Sequence, residues 1–277
     1  MNHAAIESLP IILVVNLEKS TERRREMERQ FAQLGVSEKV EFFPAVNGYA
    51  LDKNAMPHYN GRKRLFFFGR HLNQGEIGCL LSHRAIYEKM QRESIPHAIV
   101  LEDDAILAPD FAPVMHALMQ HAARWDMVRF LSRPKVYRRT RPIGPLYGDY
   151  ALGRAFGTPG GSYGYILSLK AARRLLHFTE MNCLPVDILF GHQWRTGLNV
   201  LNLLPSPVSY DDQNESTIEA SRFDKRHDLT GIKKLAFWLG RGSWRIYEFY
   251  GKYTVRIISW PYDRWLGGTL RRAAFAK

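Results

Sequence analysis

Glu102, Asp103 and Asp104 are consecutive carboxylates that directly follow the apolar run His97-Ala-Ile-Val-Leu101. Like charges side by side repel, and nothing in the preference of strands for β-branched and aromatic residues asks for them. A divalent cation would remove the conflict. Mg²⁺ or Mn²⁺ takes one or two carboxylates together with phosphate oxygens and water, which suits a nucleotide diphosphate as leaving group. On an extended chain Glu102 and Asp104 share a side, one towards a nucleotide ribose and Asp104 on the metal. The same acids could instead cap the next helix, whose start at Pro109-Asp110 is close. Asp187 stands among Val186, Ile188, Leu189 and Phe190, where lost hydration would raise its pKa towards that of a useful general base. It could equally cap a helix after Pro185.

Other residues can serve chemistry or structure. Arg23 and Arg24 can reach a phosphate or a base, or lie on a solvated helix flank. Glu76 and His83 are seven residues apart, two turns along one helical face, and His83 taken by itself reads more readily as a core histidine than as a ligand. Tyr163 and Tyr165, beside glycines, can stack on a sugar or fill the core. The histidines show no His-Glu-x-x-His spacing, which argues against a zinc enzyme.

These residues need a frame to hold them. Residues 11–17 form a short apolar run of buried-strand type; Ser20 or Thr21 can cap a helix to Leu34, with Met27, Phe31 and Leu34 on one face and Gly35 as stop. A strand over 40–46 ends at Asn47-Gly48. Residues 49–73 lack a period and read as a loop or small excursion. A helix follows over 74–91, a strand over 97–101, a helix near 111–123 and a strand over 127–131. That alternation predicts an α/β fold with a mainly parallel central sheet and helices on both faces, with Asn16, Asn47 and the acidic trio at the strand ends where such sheets bind ligands. Beyond it come a glycine-rich loop over 157–164, a strand over 165–169 and a helix over 170–178.

The segments Asn16-Leu-Glu-Lys-Ser-Thr-Glu-Arg-Arg24, Ala45-Val-Asn-Gly48, Leu72-Asn-Gln-Gly-Glu-Ile-Gly-Cys-Leu-Leu-Ser-His83 and Val100-Leu-Glu-Asp-Asp-Ala105 occur in this order. They are followed by Gly161-Ser-Tyr-Gly-Tyr165, Pro185-Val-Asp187 and Asp212-Gln-Asn214. Together they resemble glycosyltransferase family 25, the lipopolysaccharide and lipooligosaccharide glycosyltransferases whose relatives include collagen galactosyltransferases. The resemblance implies a GT-A-like nucleotide-sugar-binding fold, a UDP-sugar donor, commonly UDP-galactose, and transfer with inversion. Carried onto these segments, the implied donor-binding set is Asn16, Leu17, Arg23, Arg24, Asn47, Gly48, Glu76, Ser82, His83, Glu102 and Asp103, with Mn²⁺ or Mg²⁺ on Glu102 and Asp104 and Asp187 as base. Asn47 departs from the acid that the family often has there.

The 277 residues carry a net charge of +12, unevenly distributed. From Arg222 onwards thirteen Lys/Arg face four acids, so +9 of the charge lies there. The sequence divides into a catalytic domain over 1–221 and a basic, aromatic, helical C-terminal segment over 222–277. On a helical wheel Arg241, Arg245, Lys252 and Arg256 form a stripe opposite Tyr247, Tyr250, Tyr253, Ile257 and Ile258, although Gly242 and Gly251 weaken the helix. Such a helix can lie on an anionic membrane or pack on the catalytic domain with a solvated basic edge. No nucleic-acid reader motif accompanies the charge, no run is long enough to span a bilayer, and the two cysteines, Cys79 and Cys183, suit a reducing compartment. The expectation is an enzyme at the cytoplasmic face of a membrane acting on a lipid-linked glycan. A nucleotidyl- or phosphotransferase, or a basic membrane- or nucleic-acid-binding protein, is the alternative.

Overall fold

Ile11–Asn16 (β1) is buried along most of its length and carries a parallel neighbour on each side, Val40–Pro44 (β2) and His97–Glu102 (β3). The computed structural model describes residues 7–52, 56–132, 134–210 and 231–275. Helix α1 (Thr21–Leu34) returns from β1 to β2, buries Met27, Phe31 and Leu34, and stops at Gly35, whose φ of 66° is left-handed. Residues 49–73 are not all loop. Asn60 caps α2 (Gly61–Phe68), and Phe67 and Phe68 pack on Trp244, a contact distant in sequence that local periodicity cannot show. Helix α3 (Gln74–Arg92) opens with a capping box between Asn73 and Glu76.

After β3 the chain turns, forms the short strand β4 (Ala105–Leu107), and continues through α4 (Phe111–Met119), β5 (Met127–Phe130), α5 (Pro134–Tyr137), β6 (Thr140–Tyr147), β7 (Tyr150–Ala155) and β8 (Gly164–Ser168). Then follow α6 (Leu169–Thr179), α7 (Val186–Gly191), α8 (Gln193–Thr196), β9 (Val200–Leu204), β10 (Val208–Tyr210) and α9 (Gly231–Phe275). The main sheet has the order β2-β1-β3-β8-β5-β9-β7-β6, and β10 pairs with β4 apart from it.

The sheet is mixed, not mainly parallel. Of its seven strand pairs, β1·β2, β1·β3 and β5·β9 are parallel and the other four antiparallel. The reason lies after residue 131. Strand β8 enters from the glycine-rich loop rather than through a helical crossover, and it inserts antiparallel between β3 and β5. A hairpin, β6–β7, then closes one edge.

Helices cover both faces, as the alternation requires. One core layer unites Phe31, Phe111 and Phe130 with Leu266 and Leu270; the other unites Leu80, Tyr87, Leu175 and Phe190 with Trp244. Helix α9 therefore supplies side chains to both layers, and it packs beside the edge strand β6. It runs 45 residues, through Gly242 and Gly251 and across Pro261. The glycines explain how it docks. A Cβ on Gly240 would lie 2.3 Å from the Phe66 carbonyl oxygen, one on Gly251 2.4 Å from the Trp194 ring, and one on Gly267 2.2 Å from the Ile143 carbonyl oxygen. No helix among the described residues is long and apolar enough to cross a membrane.

Candidate functional site

Where β1, β2 and β3 end, the chain forms a pocket. Its walls are Leu17, Ser20 and Arg23 after β1, residues 45–49 after β2, Gly75, Cys79, Ser82 and His83 on α3, Glu102 at the end of β3, and Asp103 and Asp104 just after it. Two glycines let the β2 loop lie against α3. A Cβ on Gly48 would sit 1.7 Å from the Gln74 carbonyl oxygen, and one on Gly78 2.6 Å from that of Val46. Ser82 ties the same contact, accepting from Val46 N at 2.8 Å and donating to the Gly78 carbonyl at 2.7 Å.

The acidic trio is arranged by its neighbours. Asn16 donates to Asp103 at 2.8 Å, and Arg23 lies 3.0 Å from Asp103 and 3.7 Å from Asp104. Asp103 and Asp104 occupy a turn, so the side-sharing of an extended chain does not apply to Glu102 and Asp104. Nor does the trio cap a helix, because β4 follows it and Asp110 precedes α4. Burial first, and then the charge of Glu102, push the Asp104 carboxyl up to about 6 against the pull of Arg23. Its Oδ1 is buried and has no hydrogen-bond partner among the described residues. An orphaned carboxylate oxygen in a group of acids is what a hard cation satisfies.

Glu102 also meets the second half of the site. It accepts a short hydrogen bond from Ser162 in the glycine-rich loop, and His83 Nε2 lies 3.9 Å away while His83 Nδ1 bonds the Tyr165 hydroxyl at 2.8 Å. Ligand atoms of Cys79, His83 and Glu102 all lie within 4.8 Å of one another, so these side chains too could share a metal ion. Tyr163 and Tyr165 are core residues: the hydroxyl of the first accepts from Ser132 N at 2.6 Å, and that of the second bonds Tyr87 at 3.3 Å.

Asp187 lies in the first turn of α7 behind that loop, with Pro185 in the capping position. Its Oδ2 accepts from Gly161 N and its Oδ1 from Ile188 N, each at 2.8 Å. A Cβ on Gly160 would come within 2.9 Å of Oδ2, so the glycine lets the loop pack closely over this buried carboxylate. Arg129 holds the loop from below, donating to the carbonyls of Pro159 and Gly161 at 2.8 and 2.7 Å. Burial lowers the Arg129 pKa to about 10, and the Asp187 charge opposes that loss. Sequence reasoning missed Arg129, although one arginine inside Met127-Val-Arg-Phe-Leu131 is a signal. Tyr49, exposed at the pocket wall, was missed as well.

Three residues of the expected donor set lie outside the pocket walls: Asn16 is buried behind them, bonded to Asp103, and Arg24 and Glu76 point elsewhere. Arg24 pairs with Glu28 at 2.9 Å and stacks over Phe42, because it points along the outer flank of α1. Glu76 is buried, accepts from Asn73 N at 2.9 Å and pairs with Arg70 at 3.3 Å, so it builds the start of α3. The segment Asp212-Gln-Asn214 and the boundary at residue 222 lie outside the described residues.

A profile for glycosyltransferase family 25 (LPS biosynthesis protein) matches residues 9–190. A glycosyltransferase 25 family member of Anopheles gambiae is 35% identical over 195 residues, 65% of this chain and 31% of that protein. The inactive glycosyltransferase 25 family member 3 of Homo sapiens is 28% identical over 259 residues, 83% and 41% of the two chains. Procollagen galactosyltransferase 1 of Danio rerio is 26% identical over 190 residues, 64% and 30%. The chain spans less than half the length of these relatives. A mannose-1-phosphate geranyltransferase structure from Thermus thermophilus aligns with a TM-score of 0.32 at 11% identity, over 73% of this chain and 75% of that one, too slight a likeness to assign a fold.

Proposed function

Because the chain belongs to glycosyltransferase family 25, we propose that it moves a sugar, galactose in the first instance, from a UDP-sugar to a hydroxyl of a lipopolysaccharide-type glycan, with inversion. The catalytic domain, residues 1–221, is GT-A-like on this reading, and 222–277 is its C-terminal extension. The observation that carries the proposal is the orphaned Asp104 Oδ1 beside Glu102, in a pocket whose walls are built from the matched segments. Glu102 and Asp104 would hold Mn²⁺ or Mg²⁺, which when bound offsets charge on the departing diphosphate. Asn16 and Arg23 fix Asp103 at the donor, and Leu17, Asn47, Gly48, Ser82 and His83 shape the pocket around it. Tyr49 offers a face for the uracil.

In the transfer, the acceptor oxygen forms a bond to the anomeric carbon as the bond from that carbon to the UDP oxygen breaks. Asp187 Oδ2 takes the hydroxyl proton and UDP carries away the bonding pair. The exposed face of α9, with Leu235, Trp238, Ile246, Phe249 and Ile257 outward, would rest on the cytoplasmic surface of a membrane where a lipid-linked acceptor is presented.

Screening UDP-sugars for hydrolysis and transfer, with and without Mn²⁺, tests the proposal. Turnover of one of them, with calorimetric UDP binding that needs Mn²⁺ and is lost in Asp104→Asn, is the expected result. An amide cannot supply the charge that offsets a cation. UDP affinity unchanged in that variant overturns the metal assignment, and binding of no UDP-sugar overturns the function.

A further inference from the structure

Between the β6–β7 hairpin, α7–α8 and α9 lies a second cavity of about 360 Å³. Arg138, Arg139, Arg141, Arg154, Lys252 and Arg256 line it, and among the described residues no carboxylate does. Some of these cations are engaged. Arg141 and Arg154 both bond Asp263, and Lys252 pairs with Glu248 at 3.1 Å. Arg256 stacks over Phe156 with its guanidinium carbon 5.2 Å from the ring centre. Arg138 and Arg139 are exposed and have no carboxylate partner among the described residues. Arg141 Nε and Trp194 Nε1 are buried donors without an acceptor among the described residues. Cations gathered in a concave site, with donors left unpaired, call for an anion with several oxygens.

The groove leads to the reaction centre. Arg139, Ala155, Phe156, Gly157 and Lys252 also line an adjoining cavity, which continues through Thr158 and Pro159 to Gly160, beside Asp187 Oδ2. We propose that this groove binds phosphate carried by the acceptor and so delivers the acceptor hydroxyl to Asp187. The inference rests on the glycosyltransferase reading for the word acceptor, and on the groove alone for the anion. Arginine forks bind phosphate oxygens in pairs, and a cavity of this size admits a phosphorylated sugar.

The test compares the full chain with Arg138→Ala/Arg139→Ala, exposed positions whose loss spares the core, and with Arg138→Lys/Arg139→Lys. Transfer is measured to a phosphorylated oligosaccharide and to the same oligosaccharide after phosphatase treatment. For the phosphorylated acceptor the alanine pair should raise KM about 10–100-fold, as expected for lost charge-assisted contacts, while kcat stays within about twofold. The lysine pair should recover part of the loss, and the dephosphorylated acceptor should show no difference. Inorganic pyrophosphate, titrated with UDP saturating the donor pocket, should bind the wild type and about tenfold or more weakly the alanine pair. A defect seen with both soluble phosphosaccharide and lipid-diphosphate-linked acceptor places the anion on the saccharide; one seen only with the lipid-linked form places it on the linking diphosphate. Equal KM for the two soluble acceptors in the wild type, with no pyrophosphate binding, overturns the inference. If no UDP-sugar is turned over, the functional proposal fails, and the pyrophosphate titration still judges the groove.

Discussion

The pocket at the ends of β1, β2 and β3 and the groove beneath α9 flank one glycine-rich loop, yet they handle charge in opposite ways. In the pocket three acids crowd together and Arg23 answers them only in part. In the groove six cations gather, and Asp263 and Glu248, set outside its walls, answer only some of them. The pocket is assembled from four short segments, each ending or following a strand or opening a helix, so its members announce themselves in sequence. The groove draws on residues 138–141, 154 and 252–256, which share no motif. Local motifs mark the pocket, whereas the groove is built by packing between residues far apart in sequence.

The sharpest way to separate the regions is Asp187→Asn. It should lower transfer by about 10²–10⁴-fold, the usual worth of a general base, while UDP binding in the pocket stays intact. Collapse of UDP binding together with transfer would instead make Asp187 a holder of the loop through Gly161 N.

Gly251→Leu should break the groove and spare the pocket. Its side chain cannot share space with the Trp194 ring, so α9 must shift at a cost of about 1–3 kcal/mol. A lower Tm and weaker pyrophosphate binding, with UDP affinity within about twofold, is the expected pattern; an unchanged Tm would mean that the Trp194 contact is dispensable.

The outer face of α9 is tested by Ile246→Glu/Phe249→Glu, exposed positions on the side away from Trp244 and Gly251. Co-sedimentation with anionic vesicles should fall about tenfold or more, because each side chain loses the burial of an apolar group. Unchanged sedimentation removes the membrane proposal. Deleting the whole segment is the poorer test, since Trp244, Leu266 and Leu270 belong to the core.

The smallest effect concerns pH. Burial would raise the Glu248 carboxyl, but Lys252 and His192, the latter 3.5 Å away, overcome it and hold the group at about 2, below its ordinary 4.5. A depressed carboxyl stabilises the fold above its unfolded pKa and loses that contribution as pH falls through the folded one. The Tm difference between wild type and Glu248→Gln should therefore be full above pH 4.5 and shrink as pH drops towards 2. A difference constant over that range would show that charge is not what Glu248 contributes.

Much of this is legible in the residues themselves. The β1–α1–β2 unit, the helix after Asn73, β3 and its acidic end follow from apolar period and capping. Leu17, Arg23, Asn47, Gly48, Ser82 and His83, which the motifs group, line one pocket, and Asn16 lies behind it on Asp103. What fails does so for physical reasons. The alternation rule assumes helical crossovers, and β8 follows a glycine-rich loop instead. Arg24 and Glu76 sit next to pocket residues in sequence, but a helix turns adjacent side chains about 100° apart. The basic stripe of α9 reads in sequence as facing water or lipid, whereas Arg241 stacks over Phe68 and Lys252 and Arg256 face the groove.

The position of α9 beside β6 has a consequence for how the chain is made. An edge strand presents unpaired backbone groups that can recruit a strand from another molecule. Strand β6 ends at Tyr147, and the helix beside it begins only at Gly231. During synthesis that edge must wait for more than a quarter of the chain to emerge, so nascent chains stalled before α9 are the species from which misassembly should start.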